Sequence, residues 1–175
     1  MKKNLSDNSR FKGLRFAITG ANGTLGKSLI EVLKKKGAYV VGLTHDKKNN
    51  SNSYESSPDE WILWSCGEER LLSNILKNID ILVLNHGFNP KQKIDSNDIN
   101  KAIEINSLSY WRLIEVFENL ALFDNSKKFT QKEVWVNTSE AEIQIAFSPV
   151  YEITKRLIGE LVSLKKSKLL MEKRN

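Results

Sequence analysis

Leu14-Arg-Phe-Ala-Ile-Thr-Gly-Ala-Asn-Gly-Thr-Leu-Gly26 is the stretch on which the fold of this 175-residue chain turns. Its apolar first half reads as a buried strand over 14–19, and the three glycines that follow punctuate a tight turn. The spacing then predicts a helix over 24–36, with Leu25, Leu29, Ile30 and Leu33 on its apolar face and Gly37 as its stop. The same alternation continues along the chain. Strands are predicted at 39–44, 61–65, 79–85 and 133–138, and helices at 68–78, from 96 to about 123, and at 149–165. Ser96 is the expected N-cap of the long helix, with Asp98 in its first turn suiting the helix dipole. Residues 46–59 are polar and read as a loop. Strands alternating with helices predict an α/β fold, a parallel sheet covered by helices on both sides.

Composition narrows what such a chain can do. The formal charge of +6 sits at the ends: residues 1–15 hold five Lys/Arg and one Asp, and residues 165–175 hold five Lys/Arg and one Glu. Removing +4 from each end leaves the body at 6 − 8 = −2, so no basic surface for nucleic acid is expected. The domain reading follows: a basic tail over 1–13, one folded domain over 14–164, and a second basic tail over 165–175. No apolar run approaches the roughly 18 residues that cross a bilayer. Polar residues follow the N-terminal lysines, and the lone Cys66 has no intrachain disulfide partner, so a cytoplasmic protein is expected. His45 and His86 lie far apart, and no metal site is expected.

A glycine turn between a strand and a helix carries chemistry of its own. Gly20 can supply the tight turn, Gly23 can let backbone amides approach a pyrophosphate, and Gly26 can let the helix pack close to the sheet. The open N–H groups of the helix N-terminus suit phosphate. Gly20, Asn22, Gly23, Thr24, Leu25 and Gly26 are therefore candidate dinucleotide contacts.

Far downstream, Tyr151 and Lys155 stand four apart in Tyr-Glu-Ile-Thr-Lys, twelve residues after Ser139. On a helix that spacing puts both on one face, where an ammonium favours the ionised form of a phenol. A free tyrosine titrates near about 10, too high for efficient proton transfer at neutral pH, so the cationic neighbour matters.

Taken together, Thr19 to Gly26, Asn85-His86-Gly87, Asn106, Ser139, and Tyr151 with Lys155 resemble the short-chain dehydrogenase/reductase family, in the family's order, from Leu14 to about Leu164. The resemblance implies a Rossmann-type doubly wound sheet, an NAD or NADP cofactor, and interconversion of a carbonyl and an alcohol on a small-molecule substrate. It implies Tyr151 as acid/base, Lys155 on the nicotinamide ribose, Ser139 on the substrate oxygen, and Asn106 opening its helix so that a water relays protons to Lys155. The glycine spacing is similar to the family's longer, sugar-modifying branch, whereas Asn85-His86-Gly87 is similar to the single-domain branch.

Counted from the fifth strand, Glu140 also competes for the serine position. At the second strand end, Thr44 and His45 resemble the arrangement that accepts a 2′-phosphate, with Lys47 and Lys48 nearby, so NADP is expected ahead of NAD. Ser65 takes the place of an adenine-contacting Asp, and His86 that of a small residue beside the adenosine. The resemblance also implies further strands after Leu164, and the chain reads as lacking them; a dinucleotide-binding or partner-binding module without turnover is the alternative. Leu113, Phe117, Leu120, Ile158, Leu161 and Val162 exceed what one sheet face covers, and a homo-oligomer is expected.

Overall fold

The computed structural model describes residues 10–46, 57–90, 95–122, 132–144 and 148–172. Its elements are β1 (Arg15–Thr19), α1 (Thr24–Lys35), β2 (Tyr39–Thr44), β3 (Glu60–Leu63), α2 (Ser73–Leu76), β4 (Ile81–Leu84), α3 (Ser96–Ile103), α4 (Ser109–Leu122), β5 (Glu133–Val136) and α5 (Pro149–Glu172). These fall into two compact units, Met1–His86 with Val116–Val136, and Gly87–Glu115 with Asn137–Asn175.

The first unit carries a five-stranded sheet in the order β3-β2-β1-β4-β5. All its pairings are parallel, and Ile18 aligns with Gly42 on one side and Val83 on the other. This is the doubly wound Rossmann arrangement, with the chain reversing direction across the sheet between β1 and β4. One face is filled by Phe16, Ile18, Val40, Ile81 and Val83 against Ile30 and Leu33 of α1. Ala17, Val41, Leu43, Leu82 and Leu84, which alternate with them, are buried too. Burial on both faces explains why these strands read as continuous apolar runs.

Helix α1 departs from expectation at its start. Leu25 is 49% exposed, and the inward positions belong to Gly26, Ile30 and Leu33. Gly26 takes the place against the turn because a Cβ there would meet Ala21 Cα and O at 2.8 Å and collide with Gly20 O. Among the described residues, parts of both basic ends make contacts. Phe11 packs edge-on against Phe16 at 5.6 Å and Trp135 at 5.8 Å. Helix α5 continues beyond the expected end at Lys165 to Glu172, held by Lys165 lying over the Trp111 ring at 4.6 Å. Leu and Lys are good helix formers, so nothing local stops it at Lys165.

In the second unit, Asp95 and not Ser96 caps α3, its side chain accepting from Asp98 N at 2.8 Å. The long helix expected from 96 is interrupted: Glu104–Leu108 forms a π turn between α3 and α4. Six apolar residues were expected to be spare for self-association, yet Leu113, Phe117 and Ile158 are buried within the chain. Exposed on α5 instead are Ile153, Leu157 and Leu164. No helix among the described residues is long and apolar enough to cross a membrane.

Candidate functional site

Six of the expected cofactor contacts gather at the turn after β1. Gly20 has φ +62°, and a Cβ on it would lie 2.8 Å from His86 Cα, so the turn passes directly against the end of β4. Both the left-handed backbone and the close approach require glycine. Thr19, just before it, is fully buried and ties the two strand ends together. Its hydroxyl accepts from Asn85 N at 2.8 Å and His86 N at 3.2 Å, and lies 2.8 Å from His86 Nδ1. Thr19 was absent from the expected site residues, although its place beside Gly20 was a signal.

Gly23 is the N-cap of α1, with φ −73° and ψ 166°, and no side chain caps the helix. The first turn holds no acidic residue. Asn22, Thr24 and Leu25 flank this uncapped end, and the first-turn N–H groups with the helix dipole suit an anion. A pyrophosphate therefore fits the residues present.

The other contacts in this unit lie at the ends of neighbouring strands. Thr44 is buried, and its hydroxyl accepts from Asp46 N at 3.2 Å, which places the Asp46 carboxylate two residues past the end of β2. His45 is exposed beside it, whereas Lys47 and Lys48 lie outside the described residues. Ser65 is exposed two residues past β3. Between them, Trp64 is buried and meets the His86 ring edge-on at 5.4 Å. His86 is thus braced by Thr19 and Trp64 and does not swing freely.

The second unit gathers Gly87, Asn106, Ser139, Tyr151 and Lys155. Asn106 is fully buried at the centre of the π turn. Its Oδ1 accepts from Phe88 N at 2.7 Å, while its Nδ2 donates to Phe88 O at 2.7 Å and Thr154 Oγ1 at 3.0 Å. Ser107 donates to Thr154 O at 2.9 Å, so the π turn is clamped to the second turn of α5. Such turns recur at functional sites because they free backbone groups and redirect side chains. Gly87 sits close by, where a Cβ would lie 3.4 Å from Asn106 Oδ1.

Lys155 follows Thr154 and is only 3% exposed. Its ammonium donates to Asn137 O at 3.3 Å and lies 5.1 Å from the centre of the Tyr110 ring and 5.7 Å from that of Tyr151. Burial pushes its amine down from 10.5 to about 8, opposed by the negative charge of Glu142. Ser139 lies two residues beyond Asn137, and its Oγ accepts from Ala141 N at 3.3 Å, capping a short 3-10 turn over Glu140–Glu142. Glu140, the alternative for the serine position, is exposed on that turn.

Residues 16–141 match the model of the NAD dependent epimerase/dehydratase family. A monoglucosyldiacylglycerol epimerase from Synechocystis sp. is 40% identical over 157 residues, 89% of this chain and 38% of that protein. A CDP-abequose synthase from Salmonella typhimurium is 31% identical over 124 residues, 67% of this chain and 41% of that protein. The chain thus spans about two fifths of the length of the curated relatives it matches. Among solved structures, a short-chain dehydrogenase from Leptospira borgpetersenii with bound NAD+ has the same fold, with a TM-score of 0.72 and 23% identity over 90% of this chain and 65% of that one. With a match that runs from Phe16 in β1 through the capped turn at Ser139, this chain belongs to the NAD dependent epimerase/dehydratase family, within the short-chain dehydrogenase/reductases.

Proposed function

We propose that this chain interconverts an alcohol and a carbonyl on a sugar-bearing small molecule, using NADP(H) or NAD(H). One observation carries the reading: a lysine buried to 3% exposure has its ammonium 5.7 Å from the ring centre of the tyrosine one turn before it. When bound, the nicotinamide supplies the two-electron chemistry, as hydride acceptor or donor. Tyr151 takes the hydroxyl proton as the carbinol carbon is oxidised, and returns it to the carbonyl oxygen on reduction. The positive charge of Lys155 offsets the negative charge left on the phenol oxygen in the second case. Ser139 is the proposed hydrogen-bond donor to the substrate oxygen, and Asn106 holds the π turn that fixes Thr154 and Lys155 on α5.

Thr44 at the end of β2 with His45 next to it, and Asp46 only after both, supports NADP ahead of NAD. The glycine spacing and the names of the two relatives support a sugar substrate. Tyr151→Phe tests the mechanism. With monoglucosyldiacylglycerol in detergent micelles and with CDP-linked sugars as probes, single-turnover change in nicotinamide absorbance should fall at least about 100-fold. Cofactor affinity, read by tryptophan fluorescence titration, should hold. Equal turnover in the variant and the parent would sink the acid/base assignment, and tighter binding of NAD than NADP would overturn the Thr44 reading alone.

A further inference from the structure

Lys155 presents a problem that the residues proposed for catalysis leave unsolved. An ammonium has three donors, and here it makes one hydrogen bond, to Asn137 O at 3.3 Å, with two ring faces as its other partners. A buried cation with so little support loses its proton unless a negative charge stands nearby.

That charge comes from Glu142, on the short 3-10 turn that Ser139 caps. Ser139 fixes the turn twice, through Oγ to Ala141 N at 3.3 Å and through its carbonyl, which accepts from Glu142 N at 2.9 Å. The Glu142 side chain then lies across Gly159 of α5. A Cβ on Gly159 would stand 2.6 Å from Glu142 Cδ and 3.2 Å from its Cγ, and would collide with Oε1. Gly159 follows Lys155 by four residues, so the two share one face of α5. The missing side chain at Gly159 is the space in which the carboxylate lies.

We propose that Glu142, seated on Gly159, is a positioning residue that keeps the buried Lys155 ammonium charged for proton transfer at Tyr151. This rests on the function proposed above and adds a residue to it. Burial lowers the Lys155 amine and the Glu142 charge raises it, the sign the assignment requires. The other groups facing Lys155 are Tyr151 on α5 and Tyr110 on α4. On the neighbouring turns Glu152 pairs with Arg156 at 2.9 Å and Glu104 with Arg112, while Glu140 stands exposed on the same turn as Glu142. Ser139 thereby links two tasks, since the cap that it forms also carries the carboxylate to its place.

The test reads Lys155 directly, without turnover. The full chain is labelled with 13C-lysine, the Lys155 resonance is identified by its loss in Lys155→Met, and its titration is followed by NMR. Glu142→Gln keeps shape and hydrogen bonding and should move the midpoint below the parental value of about 8. Gly159→Ala, which displaces the carboxylate without removing it, should move the midpoint in the same direction. The double variant should match Glu142→Gln alone. The alkaline limb of turnover should follow the midpoint to lower pH in each. A midpoint that stays put or rises in Glu142→Gln overturns the assignment, whatever Tyr151→Phe does to turnover.

Discussion

The glycine turn of the first unit and the Tyr151–Lys155 region of the second are built by opposite means. The turn after β1 is specified by what is missing: Gly20 and Gly26 leave no room for a Cβ against His86 and Ala21. The region on α5 is specified by side chains that are present, with Asn106 bonded to the Phe88 backbone at 2.7 Å and Asn106 and Ser107 bonded to Thr154 at 3.0 and 2.9 Å. Backbone contact tolerates almost no substitution and is written locally in the sequence. A polar network tolerates partial replacement, but its members come from distant parts of the chain.

The sharpest way to break this contrast is Gly26→Val. Branching at Cβ pushes against Ala21 and Gly20 backbone that cannot yield, and overpacking of this kind costs about 3 kcal/mol. Denaturant unfolding should show that loss, together with loss of cofactor binding. A variant as stable as the parent would mean that the turn is softer than its geometry.

Asn106→Leu probes the polar side and should be milder. It leaves Phe88 N–H and C=O without their partner, a penalty of about 2 kcal/mol by the same unfolding measurement. The π turn should relax, which amide exchange across 104–108 would detect as changed protection. An unchanged unfolding midpoint would show that water replaces the asparagine without loss.

The smallest effect has the opposite sign. The folded value of Lys155, about 8, lies below its ordinary 10.5, so between these values the unfolded chain binds more protons than the folded one. Stability from this group therefore rises with pH across that window. The destabilisation is complete below about 8 and gone above 10.5. Lys155→Met should stabilise the chain by about 1 kcal/mol at pH 7, after the lost contacts are deducted, while removing turnover. The gain should shrink as pH rises above about 8 and turn into a loss before pH 10.5, and a gain that is constant with pH would rule out burial of the charge as its cause.

The same contrast decides what could be read in advance. The alternation of strands and helices, the parallel sheet and Gly20 were legible because apolar runs and glycines act over a few residues. Leu25 was misassigned by periodicity, since the first turn of a helix has the right spacing but lacks a neighbour to pack on. The end of α5 was misplaced because a run of lysines looks like a solvated tail until Trp111 is seen under Lys165. Asn106 was found through family resemblance, yet the π turn around it leaves no periodic trace in so short a segment. Glu142 was missed because its role depends on Gly159 across a loop, and one glutamate after a strand resembles any other.

The π turn between α3 and α4 has a consequence for how this chain tolerates length changes. A helix advances about 100° per residue, so the extra residue absorbed at 104–108 sets the angular phase of everything after it. Deleting one residue there would let the backbone close into a regular helix and would turn Tyr110 and Leu113, both fully buried, by roughly that angle away from their packing. The segment therefore acts as a phase shifter between two runs of ordinary helix, and its length is under tighter constraint than the identity of most residues within it.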